Sequence, residues 1–124
     1  MPRPIFLNLL QIRFPVTAIV SILHRISGVA LFIAMPLLLL WMYCMIGSDY
    51  TFAMAQRLAT IPWVVGCYYL VVLALSYHAI AGVRHLLHDV IGCHSLVGAR
   101  RSAWATLIIT AVWAVMLGYR MWCI

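Results

Sequence analysis

A chain of 124 residues that is 67% hydrophobic and 8% charged carries too few charged groups to clothe a water-facing surface, since soluble domains run near about 45–50% apolar and about 25% charged. That balance, with a mean hydropathy of +1.10, excludes a soluble enzyme domain, a nucleic-acid-binding module and a disordered tail. It leaves an integral membrane protein, one domain over 1–124, that belongs to a larger assembly. The formal net charge of +6 comes from arginines scattered along apolar segments, a pattern of topology signals and local anion contacts rather than of a nucleic-acid patch.

The N-terminal residues do not form a cleavable signal, because Arg13 cuts the apolar run and no small-residue cleavage site follows. The first helix is expected to begin near Val16, with Pro15 suited to a helix start and Pro36 placed to kink the interior. Because a spanning helix needs about 20 apolar residues, three stretches qualify, Ile26 to Ser48, Leu58 to Val83 and Ser102 to Tyr119, and the spans built on them are expected over about 16–47, 60–89 and 102–122. The expected fold class is therefore an all-α membrane protein with three transmembrane helices. Arg3, Arg13 and Arg25 precede span 1 and Arg84, Arg100 and Arg101 flank the connection between spans 2 and 3, against Arg57 and Arg120 on the other side. This asymmetry puts the N-terminus in the cytoplasm and the C-terminus outside. Trp41, Tyr43, Trp63, Tyr119 and Trp122 fall near the outer ends, as an aromatic belt would. Cys44, Cys67, Cys93 and Cys123 lie far apart with no paired or metal-ligand spacing, and are treated as small apolar residues.

Ionisable residues inside spans are costly and mark sites. Here they fall into two groups. Ser21, His24, Arg25 and Gly28 share an i, i+3, i+4, i+7 stripe on helix 1, with Ser27 beside it; His78, Gly82, His85 and Asp89 share a face of the second span, with Arg84 and His88 alongside. Antiparallel packing brings Ser21 to Arg25 level with Arg84 to Asp89 and leaves His78 deeper by one to two turns. His78 then lies roughly 24 Å from Pro62 at the outer start. A lone deep histidine under a rim of arginine and histidine suits haem, whose iron takes an axial imidazole and whose propionates call for cationic donors. Gly82, one turn from His78, would leave room for a flat macrocycle. His85 shares helix and face with His78 about 10 Å away, and His24 is shallower, so a second axial ligand is expected from another chain.

The same residues fit plainer parts equally well. His78 can be a hydrogen-bonded packing residue, Arg25 and Arg84 snorkelling topology signals, His88 and His94 interfacial residues, and Asp89 an ion-pair partner of Arg84 or Arg25. A small ion or proton transporter is disfavoured, because no acidic residue lies at mid-depth.

Two runs carry a resemblance. Arg3-Pro4-Ile5, Val16 and Ser21-Ile22-Leu23-His24-Arg25-Ile26-Ser27-Gly28 resemble the first signature of the cytochrome b556 subunits of succinate dehydrogenase. His78-Ala79-Ile80-Ala81-Gly82-Val83-Arg84-His85-Leu86-Leu87-His88-Asp89 resembles the second. Both occur in order and the likeness covers nearly the whole chain; His88 departs from it, standing where the family has an aromatic residue or methionine. The resemblance implies one of two hydrophobic anchors that hold a flavoprotein and an iron–sulfur subunit to the membrane. Such a chain is not an enzyme alone, and its helices pack with those of the partner anchor into a haem-binding bundle. Electrons pass from succinate through FAD and iron–sulfur clusters to ubiquinone, linking the tricarboxylic acid cycle to the respiratory chain. By this likeness His78 is the axial ligand to the iron of haem b, with the partner anchor supplying the other histidine. His24 and Arg25 lie at the propionates, and Ser21 and Arg25 line the quinone pocket. His85 and Asp89 fall in the polar region, where water relayed past them could supply protons. No transit peptide is visible, so the bacterial inner membrane is expected over the mitochondrial one. A fumarate reductase with a lower-potential quinone is the nearest alternative, and a haem-free structural anchor is the alternative of a different class.

Overall fold

The computed structural model describes residues 14–92 and 95–123; Arg3, Pro4, Ile5, Arg13, Cys93 and His94, named above, lie outside them. The helices are α1 (Val16–Gly47), α2 (Asp49–Leu58), α3 (Pro62–Ile91) and α4 (Leu96–Cys123). Three of them, α1, α3 and α4, are long and apolar enough to cross a membrane. α1 continues through Pro36 for 32 residues, about 48 Å at the usual rise. That exceeds a hydrocarbon core of about 30 Å, so α1 must tilt or project beyond it.

The ends of the elements follow from local chemistry. Pro62 opens α3 at a position whose missing N–H is no loss. Gly92 closes it in the left-handed region at φ 63°, its N–H donating to the His88 carbonyl at 3.2 Å. The short α2 is not among the expected elements, although its signal is present in Ser48-x-x-Thr51. The Ser48 N–H donates to Thr51 Oγ1 at 3.0 Å and the Thr51 N–H donates to Ser48 Oγ at 3.3 Å, a reciprocal cap. Asp49 in the first turn and Arg57 in the last complement the helix dipole.

α1 packs against both α3 and α4, α3 packs against α4, and α2 folds back on α1. The common core is Val20, Tyr77, Ala81 and Ala103, flanked by Val16 and Leu107. It lies at the end of the bundle where α1 begins and α3 finishes, called here the polar end. Ala81 and Ala103 are fully buried; small side chains let backbones approach where lipid tails offer as good an environment as leucine does. Tyr77 spans the gap between α3 and α1, its hydroxyl donating to the Val20 carbonyl at 2.8 Å. Further along, Tyr69 donates to the Ala114 carbonyl at 3.0 Å, and Trp113 Nε1 donates to Ser76 Oγ at 3.0 Å, tying α3 to α4. Large apolar side chains such as Phe32, Ile46 and Val115 remain exposed, as surfaces facing lipid or another subunit do.

Candidate functional site

The polar residues of α1 and α3 meet one turn of helix away from the expected level. Ser27 and His24 face His78, and His24 also meets Gly82, a shift of roughly 6 Å in the antiparallel register. The core explains the shift, since Val20 must lie under Tyr77 for the buried hydroxyl to find its carbonyl. His24 is therefore not shallow relative to His78. The two imidazoles stack with centroids 4.1 Å apart and planes inclined by 16°, and His85 tilts against His24 at 5.2 Å.

The expected stripe on α1 divides. His24 and Gly28 turn toward α3, Ser27 is buried beside them, Ser21 is half-buried at the margin and Arg25 is exposed. On α3 the division is similar: Tyr77 and Ala81 enter the core, His78, Gly82 and His85 border α1, and Asp89 is exposed. Two glycines make the contact possible. A Cβ on Gly28 would stand 3.0 Å from His78 Cε1, and one on Gly82 would stand 3.4 Å from His24 Nε2.

Arg84 and His88 belong to a separate cluster on α4. Arg84 Nε donates to Ser102 Oγ at 3.0 Å and a terminal nitrogen donates to the Ala99 carbonyl at 3.1 Å. His88 Nε2 lies 2.9 Å from the same Ser102 hydroxyl. The residue that departs from the family signature thus has a partner of its own, in a serine whose importance the sequence does not advertise. Beside this cluster opens a cleft of about 920 Å³, bordered by Phe14, Val16, Arg84, His85, His88 and Arg100 among others. His85 reaches both the cleft and His24, whereas Asp89 is not part of the cleft wall. Cys44, Cys67 and Cys123 are unpaired, and no cluster of His, Cys, Asp or Glu among the described residues could hold a bare metal ion.

Would these residues suit haem? His78 Nδ1 lies 3.1 Å from Ser27 Oγ and 3.1 Å from the His24 carbonyl, and Nε2 has no hydrogen-bond partner among the described residues. One imidazole nitrogen is anchored and the other is open. Gly28 and Gly82 keep bulk away from the rings, and Arg25 one residue along offers an exposed cation. This donor set fits an axial imidazole with a cationic rim. Sequence reasoning missed Tyr77 and Ser102 altogether and noted Ser27 without a role. A hydroxyl at helical spacing from a histidine is a weak signal until the facing helix is known.

Fold and site together describe a multi-span membrane subunit with a histidine-lined contact between two of its helices. A family model described as succinate dehydrogenase/fumarate reductase transmembrane subunit matches residues 1–117. Among similar proteins, a succinate dehydrogenase cytochrome b556 subunit of Coxiella burnetii is 33% identical over 121 residues, 97% of this chain and 97% of that one. Proteins of the same description from Paracoccus denitrificans and Rickettsia bellii are 32% and 28% identical, covering 92% and 93% of this chain and 88% and 90% of theirs. The chain belongs to the succinate dehydrogenase/fumarate reductase transmembrane subunit family.

Proposed function

We propose that this chain is the haem b-bearing membrane anchor of a succinate:ubiquinone oxidoreductase and contributes residues to its quinone site. The observation that carries the proposal is His78, held through Nδ1 by α1 with Nε2 open, in a chain of this family. In this reading His78 is an axial ligand and the second histidine comes from a partner anchor, while His24 stacks on the His78 ring and His85 tilts against His24. His24 and Arg25 receive the propionates. Haem b, when bound, supplies a one-electron carrier next to the quinone pocket.

Ser21 and Arg25 would line that pocket. A hydroxyl and a guanidinium can donate to a quinone carbonyl oxygen and stabilise the negative charge that gathers there as electrons arrive. Arg25 suits this part because its exposed position leaves it available to groups outside the chain. It orients and stabilises but does not protonate, since arginine holds its proton. Two protons accompany the two electrons taken up by each quinone. His85, touching both the cleft and His24, is better situated than Asp89 to pass them inward. Electrons would arrive from succinate through FAD and iron–sulfur clusters in a flavoprotein and an iron–sulfur subunit docked at the polar end. The arginine asymmetry favours a cytoplasmic N-terminus, and the setting in this reading is a bacterial inner membrane.

The optical spectrum of the extracted complex tests the reading. A reduced-minus-oxidised b-type signal is expected, and His78→Ala should abolish or strongly weaken it; a spectrum unchanged by that substitution refutes the ligand assignment. The family description also covers fumarate reductase, and turnover with ubiquinone against menaquinone separates the two directions of use.

A further inference from the structure

The hydrogen bonds around His78 determine which of its nitrogens carries the proton. A backbone carbonyl can only accept, so the His24 carbonyl 3.1 Å from His78 Nδ1 requires an N–H at that position. The Ser27 hydroxyl 3.1 Å from the same nitrogen cannot then donate to it. Its hydrogen goes instead to the His24 carbonyl, 2.8 Å away, and its oxygen lone pair faces Nδ1–H. The three contacts form a closed triangle in which the Ser27 hydroxyl donates to the His24 carbonyl and Nδ1–H faces both oxygens. The His24 carbonyl also serves the ladder of α1 itself, so a third donor crowds it and the Ser27 oxygen takes a real share of the Nδ1–H.

Gly28 completes the arrangement from the other side. A Cβ there would approach His78 Cε1 to 3.0 Å, and because it would sit on helix backbone it could not swing away. The imidazole is thus pressed against bare α1 backbone on its Cε1 edge and tethered at Nδ1, which leaves little freedom of rotation about the bond to Cβ. Ser27 is buried, so water does not compete for this bond.

We propose that Ser27, with the His24 carbonyl, is a positioning residue that locks His78 in the Nδ1-protonated form and, with Gly28, holds the ring so that Nε2 is presented to haem iron in one orientation. The inference rests on the reading of His78 as an axial ligand. A histidine ligand that donates its second N–H becomes more basic, and hydrogen bonding of this kind is one of the levers that set a haem potential. A more basic ligand favours ferric iron, so weakening the bond should favour ferrous iron. Ser27 touches neither quinone nor iron in this account. It acts through His78.

The test uses the whole complex extracted from membranes carrying the native chain, Ser27→Ala, Ser27→Thr or Gly28→Ala. Haem is quantified chemically, the ferric low-spin signal is recorded by electron paramagnetic resonance, and the oxidised-to-reduced ratio is followed in a redox titration. Ser27→Ala should retain haem, shift that ratio about three- to tenfold toward the reduced form at a fixed potential, as expected for one modest hydrogen bond, and move the low-spin signal. Ser27→Thr, which keeps the hydroxyl, should return both readouts toward native. Gly28→Ala should move the low-spin signal further than Ser27→Ala or lower haem content. If Ser27→Ala also loses haem, restoration of haem and signal by Ser27→Thr supports the proposal, and failure to restore them overturns it. Full haem with native potential and native signal in Ser27→Ala overturns it outright. A native complex without haem, or a His78→Ala complex with a native spectrum, refutes the ligand reading itself and is recognised without any Ser27 variant.

Discussion

The two ends of the α1–α3 contact differ, although the same two helices form both. At the polar end the backbones meet closely over Ala81, Gly28 and Gly82, and Tyr77, Ser27 and His78 bond across the gap. Near the apolar end the helices are separated by a groove of about 560 Å³ bordered by Leu37, Leu38, Trp41, Val64 and Tyr68, with Met121 of α4 closing one side. Leucine and valine abound at the second place and bind the helices less. In a bilayer, apolar side chains gain little by leaving lipid for one another, whereas small residues permit dispersion contact between backbones and polar pairs satisfy groups that lipid cannot. The polar end is where cohesion and chemistry coincide. No buried side-chain polar atom among the described residues lacks a partner.

This contrast can be sharpened or broken by substitution. The largest expected effect is functional: Arg25→Leu should lower quinone reduction by about 100-fold, the scale of losing a donor to a developing negative charge, while succinate oxidation by a soluble artificial acceptor persists. Equal loss of both activities would point to failed assembly instead. Next comes the core. Ala81→Leu forces extra volume between fully buried backbones and should destabilise the extracted complex by about 1–3 kcal/mol, seen as a lower melting temperature and poorer recovery of the assembly. Tyr77→Phe removes the bond to the Val20 carbonyl and should lower stability by about 0.6 to 1.5 kcal/mol. Trp113→Phe, which loses the bond to Ser76 and part of an exposed ring, should change it by about 0.6 kcal/mol. Leu37→Val at the groove should lie within about 0.5 kcal/mol of native. If Leu37→Val were as damaging as Ala81→Leu, the claimed difference between the two ends would be lost.

Much of the molecule was legible before any coordinates. Long apolar runs, their charge-free centres and the proline at the start of each of the first two spans describe single helices; α1 and α3 follow the expected spans to within two residues, whereas α4 begins six residues early, at Leu96, and takes in Arg100 and Arg101. The short α2 escaped notice because its composition is mixed and its marks, a capping pair and one charge at each end, are local. Of the candidate site, the residue types were readable and their arrangement was not. His24 looked shallow when levels were counted from charged ends, yet it stacks on His78. Ser21, His24, Arg25 and Gly28 formed one stripe by spacing, yet Arg25 faces away while Gly28 receives the edge of His78. Arg84 and His88, grouped with the site as its neighbours in sequence, bond instead to Ser102 of α4.

What the amino-acid order determined alone is whatever one helix settles by itself: where it starts and stops, whether it belongs in a bilayer, and which residue types recur on a turn. The sliding and rotation of one helix against the next depend on which small side chains nest together, and that is a property of pairs. A slip of a single turn changes every polar contact while leaving each helix intact. Only the packed structure brought a carbonyl 54 positions away in the chain to His78 Nδ1, and with it the choice of which nitrogen remains open.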